Sequence, residues 1–350
     1  MRGLAIGPCG TLGLMRRAGP VLAFPAFLFA FRASVLLADT PTTVWERATN
    51  PRRAAVERVH AAIEEQLARA AHPLVKSLAL EDARSQLEAA FARGVDAPLL
   101  HYDLAQIYFA QKRYPLVLRE LRLVVNDPPE GASLAHIWDM LAMTYAHLER
   151  HEEERDAHRE HLRLLRSEST RAVATMNLAE SEMSVGRLDE AILQYREAAR
   201  IASESSSYSA SATAALCVWG LSVALDRSGD AAQALAEAAR ANALDPGAQV
   251  LTSDSVFFAP AYERDWYMGL SAEATARSLP EAQRERYFVT AGAYFRSYVN
   301  HATAPGRHDR WLELAKKRAA KLEQLGAAAT AERLTKGTSK GSHGLPKLPH

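Results

Sequence analysis

One helix–turn–helix sentence recurs along this chain of 350 residues, and no other feature limits the fold as strongly. Residues 177–202 read NLAESEMSVGRLDEAILQYREAARIA: an amphipathic stretch, a turn at Val185-Gly186-Arg187, and a second amphipathic stretch. Four such units can be written from residue 98 onward. The first has Leu104-Ala105-x2-Tyr108, Tyr114 at its turn, Val117-x3-Leu121 and a closing Pro129. The second has Trp138, Leu141-Ala142 and Tyr145. The third has Leu178-Ala179, then Ala191-x3-Tyr195-x2-Ala198. The fourth has Leu221-Ser222, a Gly229-Asp230 turn, Ala234-x3-Ala238-x2-Ala241 and a terminal Leu244-Asp245-Pro246.

Close packing explains these residue types. Small side chains at Ala105, Ala142, Ala179 and Ser222 let the first helix of each unit approach its neighbours, and Leu and Tyr on the same stripe fill the gaps. Gly186 and Gly229 suit turns that need a positive φ. Pro246 stops a helix. One helix pair cannot bury its apolar face alone, so stacked pairs build a continuous core. Composition agrees, because Ala, Leu, Arg, Glu and Gln favour helix and alternating β-branched runs are scarce.

The Trp138-x2-Leu141-Ala142-x2-Tyr145 pattern resembles the first-helix signature of tetratricopeptide repeats, with Ala in place of Gly. The resemblance covers residues 98–248. It implies an all-α, right-handed α-solenoid of helix–turn–helix repeats. Equivalent positions Val117, Glu154, Ala191 and Ala234 are 37, 37 and 43 residues apart, against about 34 in the family. The helices or loops must therefore be longer, and SESSSYSASA at 203–212 is expected to be a loop or N-cap region. Glu154 stands where a small residue is usual. A non-repeating helical bundle fits the composition, but not the recurrence.

Flanking this array, residues 42–97 are expected to hold a degenerate helical pair, built from 51–71 and 80–93. Residues 249–325 hold an aromatic segment, a degenerate pair around Trp266, Tyr267 and Phe295, and a polar capping helix at 309–325. The segment SDSVFFAPAYERDWYMGLS is also similar to a segment of tetratricopeptide proteins from myxobacterial envelopes, some linked to gliding motility. A content of 34 Arg to 8 Lys fits a GC-rich genome. The Gly-, Ser- and Lys-rich tail at 326–350 is expected to be disordered.

Residues 1–38 read as a signal peptide or N-terminal anchor, with Arg16-Arg17 before an apolar run and Ala38 before Asp39. Arg32 interrupts that run, and either Met1 or Met15 can be the start. The expected location is the periplasm or envelope; membrane-anchored and cytoplasmic forms are the alternatives. Cleavage leaves Cys217 alone, a small buried hydrophobe within ALCVWGL.

Members of the family mostly bind proteins and seldom catalyse, which implies a scaffold or adaptor with a concave groove lined by the first helices. That register places Tyr102, Gln106 and Phe109 in the first unit, and Asp139, Met143 and His147 in the second. It places Met176, Glu180 and Met183 in the third, and Trp219, Val223 and Asp226 in the fourth. The set is aromatic and Met-rich and lacks the Lys and Asn clamp of chaperone-binding members. The expected partner is an apolar protein segment, extended or helical. The competing reading packs some of these residues on an adjacent repeat or on the chain's own termini. Phe257, Phe258, Tyr262, Trp266 and Tyr267 either seal the end of the array or form a second patch.

A net charge of +1, from 42 basic and 41 acidic residues, gives no electrostatic footprint for nucleic acid. No small-molecule substrate is expected, and membrane contact only through an envelope assembly. No phosphate-binding loop or dinucleotide fingerprint occurs, and Ser222 in G-L-S-V-A lacks the final Gly of a nucleophile elbow. An enzyme is therefore not expected, nor a cofactor or resident metal. The alternative is a metal-dependent protein or an enzyme using the cluster His147, His151, His158 and His161, in which His158 and His161 lie one turn apart.

Overall fold

The computed structural model describes residues 49–130, 132–204, 208–254 and 256–340. Among these residues every regular element is helical and no strand occurs. The N-terminal helices are α1 (Pro51–Arg69), α2 (Lys76–Ala92), α3 (Pro98–Ala110), α4 (Tyr114–Val124), α5 (Leu134–His147) and α6 (His151–Leu164). Then come α7 (Glu168–Ser184), α8 (Leu188–Ser203), α9 (Tyr208–Ser228) and α10 (Ala231–Leu244). A 3-10 turn at Val250–Thr252 leads to α11 (Glu263–Ser278), α12 (Glu281–Ala302) and α13 (Leu312–Lys340). Each helix packs on the one before it, and α1 also meets α3, α7 meets α9, and α9 meets α11.

The four repeat units share one turn. Lys112, Glu149, Gly186 and Gly229 all have positive φ (58°, 55°, 88° and 96°), and their spacing is again 37, 37 and 43 residues. In each, the next residue's N–H reaches back to a carbonyl near the end of the helix. The bonds are Arg113 to Tyr108 (2.8 Å), Arg150 to Tyr145 (2.9 Å), Arg187 to Glu182 (2.8 Å) and Asp230 to Leu225 (3.0 Å). This is the six-to-one bond of a Schellman ending, and it turns the chain straight into the second helix. At Gly186 the φ of 88° is what calls for glycine; the Arg310 guanidinium lying over it is the mobile end of a long side chain. Caps fix the other ends: Asn50 and Asp230 side chains accept from the backbone N–H of Arg53 and Gln233, each at 3.0 Å.

The small stripe packs as its chemistry requires. Ala105, Ala142, Ala179 and Ser222 are all at zero exposure. The apolar residues gather into two main cores, one from Ile63 to Ala157 and one from Ala179 to Leu322. Between them lies α6, whose sequence HEEERDAHREHLRL has little apolar surface to offer. Arg159 of α6 meets Glu182 of α7 there at 2.5 Å. Glu154 occupies its usually small position while buried, with its carboxylate 2.7 Å from His151 Nδ1.

Several expectations change. The 203–212 segment is not a loop throughout: α9 begins at Tyr208 and is 21 residues long, which accommodates the wider last interval. The capping helix is longer and less polar than expected. Ala315, Ala319 and Leu322 of α13 are buried in the second core, so its inner face is structural. The helix also runs through Gly326 to Lys340, where disorder was expected, because GAAATAERL is rich in helix formers. Residues 1–48, including the signal segment, and 341–350 lie outside the described residues. No described helix is long and apolar enough to cross a membrane.

Candidate functional site

The twelve groove positions divide along the chain. In the N-terminal units Tyr102, Gln106, Asp139, Met143 and His147 keep partial exposure, while Phe109 is buried. In the third unit Met176 and Glu180 are partly exposed and Met183 is buried. In the fourth, Trp219, Val223 and Asp226 are buried, which removes them from any open groove. The reason is that α9 is enclosed by α7, α8, α10 and α11. Trp219 donates its Nε1–H to Asp245 at 3.3 Å, and Asp245 also accepts from the Val250 N–H at 3.2 Å. Gly220 permits this packing, since a Cβ would sit 2.2 Å from the Tyr195 ring.

The aromatic segment does two things. Trp266 and Tyr267 are buried and belong to the second core, so they form no surface patch. Phe258 packs edge-on against Tyr267 with centroids 5.1 Å apart, and Tyr262 donates to Asp309 at 2.8 Å. Phe257 alone is exposed, at 40%, and it reaches back to the end of α5. There it stacks on His147 (4.3 Å), which stacks on Tyr114 (4.2 Å). Burial, helped by the Lys112 charge, pushes the His147 pKa down to about 4, so the ring between the two aromatics is neutral near pH 7. Arg307 follows the same path and meets Glu149 at 3.2 Å. The C-terminal elements thus fold back across the turns of the second and third units.

Ion pairs tie this closure together. Arg318 of α13 donates to Glu273 at 2.7 Å and lies 3.4 Å from Asp226, all three buried. Trp266 donates its Nε1–H to Asp226 at 2.9 Å. Burial raises the Asp226 carboxyl, and Arg318 and the Trp266 bond partly offset that rise. Arg227 pairs with Glu263 and stacks over Trp266 and Trp311, at 4.6 and 5.0 Å from the centroids. Glu180 keeps some accessible area, yet its carboxyl is deeply enclosed. Burial, reinforced by Glu154 and Glu263, raises its pKa to about 8. It is therefore protonated near neutral pH.

The histidine cluster splits. His147 joins the aromatic stack and His151 bonds to Glu154. His158 and His161 converge on Asp139 of α5, and the donor atoms these three offer lie within 4.8 Å of one another. Burial pushes the His158 pKa down to about 4. Burial disfavours the Asp139 carboxylate, but His161, His158 and His136 around it outweigh that and hold its pKa below the usual value. Asp139's place beside the histidines was not foreseen: the register puts it in the groove, and only the pairing of α5 with α6 brings His161 to it.

Ser222 donates to the Trp219 carbonyl at 2.7 Å inside the core, as a structural serine does. Cys217 is buried and its thiol is pushed up to about 12 by burial. Two of the recesses on the described surface are shallow and open. One of about 540 Å³ is lined by Pro115, Leu118, Arg119, Arg122, Leu148 and Arg150, and the other, of about 360 Å³, lies beside Trp138 and Tyr145.

No protein-family model matches the chain, and no curated protein matches it. A solved structure that does match is the crystal structure of BtubC (BKLC) from P. vanneervenii. It is 14% identical and the match covers 85% of this chain and 96% of that chain, with a TM-score of 0.37. At that score the likeness carries no argument about this chain.

Proposed function

We propose that this chain is a right-handed α-solenoid of tetratricopeptide type. It acts as a non-catalytic scaffold in the bacterial envelope, holding an apolar segment of a partner protein along α3 and α5. The observation that carries this reading is the Phe257 stack. An irregular stretch of the chain already lays an aromatic side chain on the α5 face that bears Asp139, Met143 and His147. That face accepts an extended apolar segment, and its open part at Tyr102, Gln106 and Met143 offers the same chemistry. Met143 supplies a side chain that can repack around different partners.

The shared turn supports the solenoid, since a motif repeated at constant offset stacks like units on like. Export rests on the 16–38 segment, and sequencing the mature N-terminus tests it: a start near Asp39 supports export, and an intact start supports the cytoplasmic alternative. Binding is tested by a crosslinked pull-down from the envelope fraction, with wild type and a Tyr102→Ala/Met143→Ala variant of unchanged helicity. The reading expects one protein captured by wild type and lost from the variant. Equal capture by both removes the groove.

A further inference from the structure

We propose that Asp139, His158 and His161 hold a Zn2+ ion that clips α5 to α6. His158 and His161 lie three residues apart on α6 and so share a face. Asp139 lies opposite on α5, and one donor atom from each falls within 4.8 Å of the others. Nδ1 of His158, whose residue is only 3% exposed, has no hydrogen-bond partner. Nδ1 of His161 lies 3.1 Å from Asp139 Oδ1 and already points at the carboxylate, so His158 Nδ1 is the donor of the three left without a partner. Buried polar atoms left unpaired are uncommon in folded proteins.

Two imidazoles and one carboxylate form a borderline nitrogen–oxygen set, which suits zinc better than the all-oxygen shells of calcium or magnesium. Bond lengths of about 2.0–2.2 Å bring tetrahedral donors to roughly 3.3 Å from each other, so the side chains need shift by only about an ångström. Solvent supplies the fourth position, on the side where His136 lies one turn before Asp139 at the exposed start of α5. Behind His158, Glu154 Oε1 is 4.0 Å from Nε2. Closing that gap gives the carboxylate–histidine–metal arrangement that orients ligating imidazoles. Glu154 is thus a positioning residue, which accounts for a carboxylate where the repeat elsewhere has a small side chain.

The test uses the full mature chain without a polyhistidine tag, stripped with chelator and titrated with Zn2+ by calorimetry. Thermal unfolding and Co2+ absorption are read in parallel. The expected result is one Zn2+ per chain, a raised unfolding midpoint, and the visible bands of tetrahedral Co2+. His161→Gln and Asp139→Asn, with unchanged circular dichroism, lose all three. Glu154→Gln weakens binding about tenfold or more while keeping the stoichiometry. The proposal is overturned if wild type takes up well under one equivalent. It is equally overturned if His161→Gln binds as wild type does, since the metal then sits on other histidines.

Discussion

The two halves of the molecule solve the same packing problem differently. From α1 to α5 the interior is mainly aliphatic, with Ile63, Leu87, Leu100, Ile107, Leu121 and Ile137 at zero exposure, and its buried carboxylates Asp103 and Glu120 each meet a histidine, His60 and His101. Beyond α7 the core carries Trp219 and Trp266 together with buried Asp226, Arg227, Glu273 and Arg318. The N-terminal half leaves Tyr102, Gln106, Asp139, Met143 and His147 partly exposed. In the C-terminal half α11 packs on α9, and Arg318 of α13 reaches Asp226, so the first helix of the fourth unit is covered. Charged α6 separates them, and that seam holds both the Asp139–His158–His161 cluster and Glu180. An array whose units touch only their neighbours need not unfold as one, so the seam marks where cooperativity should break.

The largest expected effect is on the closed half. Trp266→Ala removes a large buried ring and leaves Asp226 with Arg318 as its remaining partner, costing about 3–5 kcal/mol. Hydrogen exchange should show lost protection in α9–α13 with α1–α5 little changed; equal loss in both halves would mean one cooperative unit and erase the distinction. Glu180→Gln addresses the seam. The native carboxyl titrates at about 8, well above its ordinary value of 4.5. The unfolded chain releases that proton first, so wild-type stability falls as pH rises from about 4.5 and levels off above 8. The variant should be roughly 1–3 kcal/mol more stable at pH 7–8 and equal at pH 4.5. A pH-independent difference would mean that the carboxyl is solvated.

Smaller effects probe the turns and the strap. Lys112→Gly and Glu149→Gly relieve a left-handed conformation at an L residue and should each stabilise by up to about 1 kcal/mol. The same change at exposed Arg200, inside α8, should cost about that much. Urea denaturation of the three variants checks the contrast. Phe257→Ala should change stability by less than about 1 kcal/mol, because the ring is already 40% exposed. It should nonetheless raise the His147 pKa from about 4 toward 6.5, read by NMR titration. An unmoved pKa would place the stack's influence on Tyr114 alone.

What the sequence made legible was local. The small stripe, the glycine turns of the third and fourth units and the stop at Pro246 follow from short-range sterics, and the helices obey them. The turns at Lys112 and Glu149 carry no glycine to mark them, although their φ is the same. The sequence left open whether Trp219, Val223 and Asp226 line a groove or pack on a neighbour; the structure buries them because α7, α8, α10 and α11 close around α9. Asp139 was visible as a groove position and invisible as the neighbour of His161, which depends on the pairing of α5 with α6. The histidine spacing on α6 announced one face, and only the helix opposite could supply its third member.

The account rests on the N-terminal half having an open binding face. The most direct measurement is photocrosslinking in intact cells, with the crosslinker at Gln106 on the α3 face and, as a control, at exposed Leu193 on α8. The account predicts one crosslinked protein from position 106 that is absent from position 193 and is lost when Tyr102 and Met143 are replaced by Ala. Identical products from both positions, or none from position 106, would contradict it.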